Sequence, residues 1–226
     1  MQNTHILHDF NEAITALREE VLAMAGQARL NLERAVESLL TRNVDLANAV
    51  IGDDNEVDEM ERKVDRLGME ILVRFHPVAS DLRLVLSSMK ISINLERISD
   101  HATSIAKRAR KMAKNQELPD VNIVEQVYAM SDQLLRDAIT AYNNHDAALA
   151  LGLHERDKEL NRVYKRVSNT LTQRIEEGDE RTDDYLHLIF VVRSLERIGD
   201  LSVNVGEDTV FMEAAKDVRH DEGRQI

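Results

Sequence analysis

The sequence contains no cysteine and no tryptophan. Disulfides, thiolate metal sites and cysteine nucleophiles are therefore excluded. Proline occurs twice, glycine eight times, and aromatic residues make up 4% of the 226 positions. The β-branched, aromatic and turn-rich segments of sheet proteins are missing with them. No G-x-G-x-x-G, P-loop, H-E-x-x-H or G-x-S-x-G occurs, so the common nucleotide, zincin and serine-hydrolase signatures are absent. Asp54-x-Glu56-x-Asp58 begins like a calcium loop, but Glu59 stands where that loop requires glycine. The longest apolar runs, such as 188–192, are far too short to span a bilayer. The start, MQNTHILHDF, shows no basic segment leading into an apolar run. No secretory signal or membrane insertion is expected, and the expected location is cytoplasmic.

Positive charge is in deficit: 29 Lys and Arg stand against 41 Asp and Glu, a net charge of −12. Phosphate neutralisation supplies most nucleic-acid affinity, so no nucleic-acid partner is expected. One basic run stands out: Lys107, Arg108, Arg110, Lys111 and Lys114. It reads first as cations gathered near a helix C-terminus, where the macrodipole favours them. The functional alternative is a contact for an acidic partner or a membrane surface.

What remains is helix. Charged residues at 31% and apolar ones at 43% suit long helices with one wet face and one buried face. Asn43 with Asp45, Pro77 with Ser80 and Asp81 as caps, Pro119 with Asp120, Asn143 with Asn144 and Asp146, and Gly178 before Thr182 divide the chain. Six helices are expected, over roughly 7–42, 44–75, 81–116, 121–144, 146–177 and 182–213, each end uncertain by about three residues. In the third, Ile91, Leu95, Ile98, Ala102, Ile105, Ala109 and Met112 form a stripe at alternating spacings of four and three. In the sixth, Leu188, Val191, Leu195, Ile198, Ser202, Val205, Thr209 and Met212 do the same. Long helices with short connections fold back antiparallel, and three per half hide these stripes. The fold class is all-α, with a first bundle over 1–117 and a second over 118–226. The polar tail after about 214 is expected to be loose.

The halves are copies. Leu95-Glu96-Arg97-Ile98-Ser99-Asp100 reappears as Leu195-Glu196-Arg197-Ile198-Gly199-Asp200, offset by 100. Asn43 and Asp45 match Asn144 and Asp146 at 101, and Asp54-x-x-Val57 matches Asp157-x-x-Leu160 at 103. A period of this length indicates a duplicated bundle and not a solenoid repeat.

Glu96 and Asp100 share one helix face, as do Glu196 and Asp200. In the third helix they continue an apolar line of Leu82, Leu86, Met89 and Ile93, so they are expected on a buried or half-buried face. Crowded carboxylates there need a counter-ion, a proton or a metal. Asp54 and Asp58, with Glu61 and Asp65 beyond, can complete the first cluster, and Asp157 the second, where Asn161 replaces the match to Asp58. The metal candidates are thus Glu96, Asp100, Glu196, Asp200, Asp54, Asp58 and Asp157. Hard oxygen donors fit Mg, Ca, Mn or Fe better than Zn or Cu. The bland alternative is salt bridging to Arg97, Arg197 or arginines on neighbouring helices. His101 reads as a surface or capping residue, since Leu201 replaces it in the copy.

The block from Asn94 to Ala102, its partner 195–200, and Arg74-Phe75-His76-Pro77-Val78-Ala79-Ser80-Asp81-Leu82-Arg83 together resemble the PhoU family over nearly the whole chain, about 7–213. Ser99 departs from the expected glycine, and Ser104 from Asn204 of the second half. The resemblance implies two three-helix bundles, often paired as a homodimer. It implies a regulator acting with the ATPase of a phosphate ABC transporter and a phosphate-sensing histidine kinase, damping the starvation response. It also implies iron, Mn or Mg on the acidic motifs, with Glu96, Asp100, Glu196 and Asp200 as ligands. No catalysis is expected. Two readings compete: a structural scaffold whose acidic face binds nothing, and a ferritin-like di-iron enzyme. The latter wants Glu-x-x-His on two helices, and no histidine here has glutamate three residues before it.

Overall fold

The computed structural model describes residues 2–178 and 180–218, with side chains from residue 8 onward. Its helices are α1 (Gln2–Leu40), α2 (Val44–Gly52), α3 (Asp54–Phe75), α4 (Ala79–Met112), α5 (Val124–Asn144), α6 (Ala147–Glu176) and α7 (Thr182–Ala214), with a 3-10 turn, Val121–Ile123, ahead of α5. No strand occurs among the described residues. The expected tail lies mostly outside them; 215–218 are not helical.

The helix expected over 44–75 is broken in two. The Asp53 N–H closes α2 on Ala49 O at 3.0 Å, and the Asp53 carbonyl then accepts from Glu56 N at 3.1 Å. Gly52 is a poor helix former, and Asp54 and Glu56 favour a helix start because they face the positive end of the dipole. The first half is still one three-helix bundle, with α2 and α3 as a jointed middle helix. A second expectation also fails. Ser80 and Asp81 do not cap α4: the helix begins at Ala79, Val78 is its N-cap without a side-chain bond, and Asp81 sits inside the first turn. Gly178 takes the left-handed turn expected of it, at φ 82°.

Both predicted stripes are buried along their whole length. They do more than fill their own bundles, because α4 and α7 pack on each other and one hydrophobic core runs through both halves. The two helices are antiparallel: Arg83 Nε reaches Met212 O at 3.2 Å near one end, and the Arg108 guanidinium lies 4.1 Å from the Phe190 ring centroid near the other.

The repeat register is clearer in space than in sequence. Arg42 and His145 are both left-handed, at φ 56° and 57°. Each is followed by an N-cap: Asn43 Oδ1 accepts from Leu46 N at 3.0 Å, and Asp146 Oδ1 from Leu149 N at 2.9 Å. Asn43 therefore matches Asp146, not Asn144, and the offset is 103, the same as for Asp54 and Asp157. The change to 100 falls in the hairpins that lead into α4 and α7.

Arginines close helix C-termini, where unpaired carbonyls attract cations, Arg18 between the halves and Arg42 within the first. Arg18 Nη2 donates to Asn143 O at 2.9 Å, and Arg42 Nη2 to Ala113 O at 3.1 Å and to Asn115 O. Asp132, 5% exposed, links α1 to α5 by accepting from Arg29 Nε at 2.8 Å while pairing with Arg136 Nη2 at 3.0 Å.

Candidate functional site

The carboxylates gather where α3 crosses α4 and where α6 crosses α7. Burial first, then the negative charges of Asp100, Glu61 and Asp58, push the Glu96 carboxyl up to about 7 against an opposing pull from Arg97. Asp100 is raised by burial and by Asp54 and Asp58, with Lys107 opposing. Glu61 is raised by burial, Asp65 and Asp58. The α3 acids thus lie within electrostatic reach of Glu96 and Asp100. Thr103, one helical turn beyond Asp100, donates to Asp54 Oδ1 at 3.0 Å. Sequence reasoning passed over Thr103, although its spacing from Asp100 placed it on the acidic face.

The second cluster has the same frame with different neighbours. Burial and Asp200 push Asp157 up to about 6. Burial, then Asp200, raises Glu196, while Arg197 opposes. Val203 stands at the position of Thr103 and offers no hydroxyl. Asp157 is instead bonded through Oδ2 to Asn161 Nδ2 at 2.9 Å, and its Oδ1 is buried without a hydrogen-bond partner among the described residues. The space beside it is set by Gly199: a Cβ there would run into Leu160 Cδ2 and come within 3.3 Å of Asp157 Oδ1. In the first half Ser99 carries a side chain and Val57 replaces Leu160; the Ser99 hydroxyl accepts from Asn31 Nδ2 at 3.1 Å.

The apolar line leading to Glu96 is not covered as expected. Leu82 and Met89 are half-buried, but Leu86 and Ile93 are 37% and 45% exposed. Glu96 is half-buried and Asp100 exposed, at a lip between helices open to solvent. His101 is no cap: it lies mid-helix, half-buried, its imidazole pushed down by burial and by Arg197 and Arg97.

The donor set consists of hard carboxylate oxygens, which suits Mg, Mn or Fe in chemical type. Among the described residues, however, no three Asp, Glu or His side chains converge closely enough to hold an ion.

The PhoU domain matches residues 21–109 and 124–209. The chain belongs to the PhoU family. It is similar to the phosphate-specific transport system accessory protein PhoU homolog of Pseudomonas putida, 37% identical over 96% of this chain and 85% of that one. The Escherichia coli phosphate-specific transport system accessory protein PhoU is 30% identical over 99% of this chain and 93% of its own length. The crystal structure of PhoU from Pseudomonas aeruginosa superposes with a TM-score of 0.88 at 33% identity, covering 92% of this chain and 100% of that one. The phosphate transport system regulatory protein PhoU of Streptococcus pneumoniae shares the fold, with a TM-score of 0.85 at 22% identity over 92% of this chain and 99% of its own.

Proposed function

We propose that this chain is an accessory and regulatory protein of phosphate-specific transport that works by contact and without chemistry of its own. The names of its relatives support the transport role. The observation that supports a contact face is the pair of crowded carboxylate clusters at equivalent crossings, with Glu96 raised to about 7 and Asp157 to about 6. Like charges held together at a solvent-open lip are a surface waiting for positive charge. The partners we assign are the ATPase of the phosphate transporter and the phosphate-sensing histidine kinase, with a second copy of the chain completing a homodimer. No described helix is long and apolar enough to cross a membrane, so the chain meets the transporter from outside the bilayer; we assign it to the cytoplasm.

A metal fits the donor type but not the present side-chain positions. We infer that Glu96, Asp100, Asp54 and Asp58 would hold an Mg, Mn or Fe ion only by drawing together, and that the ion would supply charge neutralisation and stiffening of α3 against α4. Glu196, Asp200 and Asp157 form the lesser site. A scaffold reading is favoured there, since Arg197 already meets Asp200 at 2.9 Å and Glu196 at 3.5 Å.

The test replaces Glu96 and Asp100 by alanine together. Helical content should persist, while phosphate-dependent repression and co-purification with the transporter ATPase or the kinase should fall. Unchanged repression and unchanged co-purification would remove the contact face.

A further inference from the structure

The basic run on α4 has a counterpart that shows it is not demanded by the fold. At the offset of 100 that relates α4 to α7, Lys107, Arg108, Lys111 and Lys114 match Glu207, Asp208, Phe211 and Ala214. The end of α7 carries no basic residue in its last turn, while α4 carries Arg110 and Lys111. Dipole compensation therefore explains a cation or two on α4 but not a ridge of them, since the end of α7 carries none in its last turn and only Lys216 two residues beyond it.

The crossing of α4 and α7 makes the contrast local. At one end Lys90 Nζ lies 3.7 Å from the buried Asp208 carboxylate and 5.3 Å from the Phe211 ring centroid. At the opposite, equivalent end the roles are exchanged: Phe190 occupies the place of Lys90, and Arg108 that of Asp208. Arg108 stacks on Phe190 at 4.1 Å. Among the described residues none of Lys107, Arg108, Lys111 or Lys114 forms an ion pair. Lys107 and Lys111, four residues apart, are exposed on one face of the last turns of α4, and exposed Lys114 follows in the turn just beyond the helix. Beside it on α7, Leu186 is 42% and Phe190 44% exposed, one helical turn apart. His187 lies between them, within electrostatic reach of both Arg108 and Lys111.

We propose that this ridge, Lys107, Lys111 and Lys114 with Arg108, Phe190 and Leu186, is a docking surface for an anionic phospholipid bilayer. Lysine ammonium groups are point charges on flexible stems and impose no fixed geometry, which suits a fluid array of headgroups better than a shaped peptide. The exposed Phe190 and Leu186 add apolar contact at the headgroup boundary. The acids nearest the ridge are Asp100, within electrostatic reach of Lys107, and Asp183 and Asp184, within reach of His187; of the remaining net charge of −12, whatever lies more than about 8 Å away is screened at physiological salt. Docking of this kind is peripheral and reversible and needs no spanning helix. It stands apart from the regulatory reading above, since vesicle binding is measured without phosphate, transporter or kinase.

The experiment is flotation of the purified full chain with vesicles of phosphatidylcholine and phosphatidylglycerol, against vesicles of phosphatidylcholine alone. Binding should require phosphatidylglycerol, fall with added salt, and drop about fivefold for each lysine neutralised in the series Lys107→Gln, Lys111→Gln and Lys114→Gln. Phe190→Ser should weaken binding, and Lys216→Gln, off the ridge, should leave it unchanged; circular dichroism verifies that each variant is folded. No flotation with phosphatidylglycerol, or flotation indifferent to the triple lysine variant, overturns the proposal. Binding of a polyglutamate peptide to the ridge without vesicle binding overturns it too, and reassigns the ridge to an acidic protein segment.

Discussion

Arg197 Nη1 lies 2.9 Å from Asp200 Oδ2, whereas its repeat counterpart Arg97 makes no ion pair with Asp100 among the described residues. The two carboxylate faces have one sequence pattern and different electrostatics. The second is partly neutralised by its own arginine. In the first, Glu96 and Asp100 have no hydrogen-bonded or ion-paired partner among the described residues, and the α3 acids crowd them further. The bland reading of the motif thus holds for one copy and not for the other.

Arg197→Ala is expected to cost about 0.5 kcal/mol, the size of a largely exposed pair, and Arg97→Ala less. Chemical denaturation of both variants compares them. An equal or larger loss for Arg97→Ala contradicts the assigned asymmetry.

The raised Glu96 carboxyl makes stability depend on pH in a defined direction. Its folded value, about 7, exceeds the ordinary 4.5. The folded state therefore holds the proton more tightly, so its contribution is favourable below about 4.5 and is lost as pH rises through about 7. Glu96→Gln should raise the melting temperature at pH 8 and leave it nearly unchanged at pH 4. Because Glu96 faces solvent on one side, screening holds the gain under about 1 kcal/mol. A melting-temperature series across this range checks the sign.

Gly199→Ala should destabilise by about 1–3 kcal/mol, since the new methyl meets Leu160 in a filled core. The first half shows how the chain itself accommodates a Cβ there, with Ser99 opposite the shorter Val57. Leu160→Val should therefore recover part of the loss in Gly199→Ala. A double-mutant cycle reads this as a coupling energy, and strict additivity would refute the pairing.

Asp132→Ala leaves Arg29 and Arg136 without their shared acceptor and is expected to cost about 2–4 kcal/mol. The loss should appear as one cooperative transition, because α1 and α5 belong to different halves of a continuous core. Two separate melting transitions would show that the halves are independent.

The helices and their buried stripes were legible because each stripe repeats along the whole length of α4 and α7, and packing had nothing to override. The approach of Asp58 to Glu96, and of Asp54 and Asp58 to Asp100, was legible too, from shared spacing on helices joined by a short hairpin. The packing of α4 on α7 was not, since one apolar stripe per helix suffices to fill its own bundle and carries no mark of a second helix packed on it. The break at Asp53 had a signal in Gly52 followed by two aspartates, masked by the apolar period continuing on either side. The caps on α4 failed because Ala79 adopts φ 51°, which no local rule for alanine anticipates. The exposure of Leu86 and Ile93 depends on which neighbours α4 lacks on that side, information that no single helix carries.

The most direct measurement is the carbon-13 carboxyl titration of Glu96, assigned by comparison with Glu96→Gln, in protein stripped of metal and then with Mg or Mn added. Crowding among unpaired acids predicts a midpoint near 7 that moves down when the cation is supplied. A midpoint at the ordinary glutamate value, indifferent to either cation, would contradict the reading of this face as one that awaits positive charge.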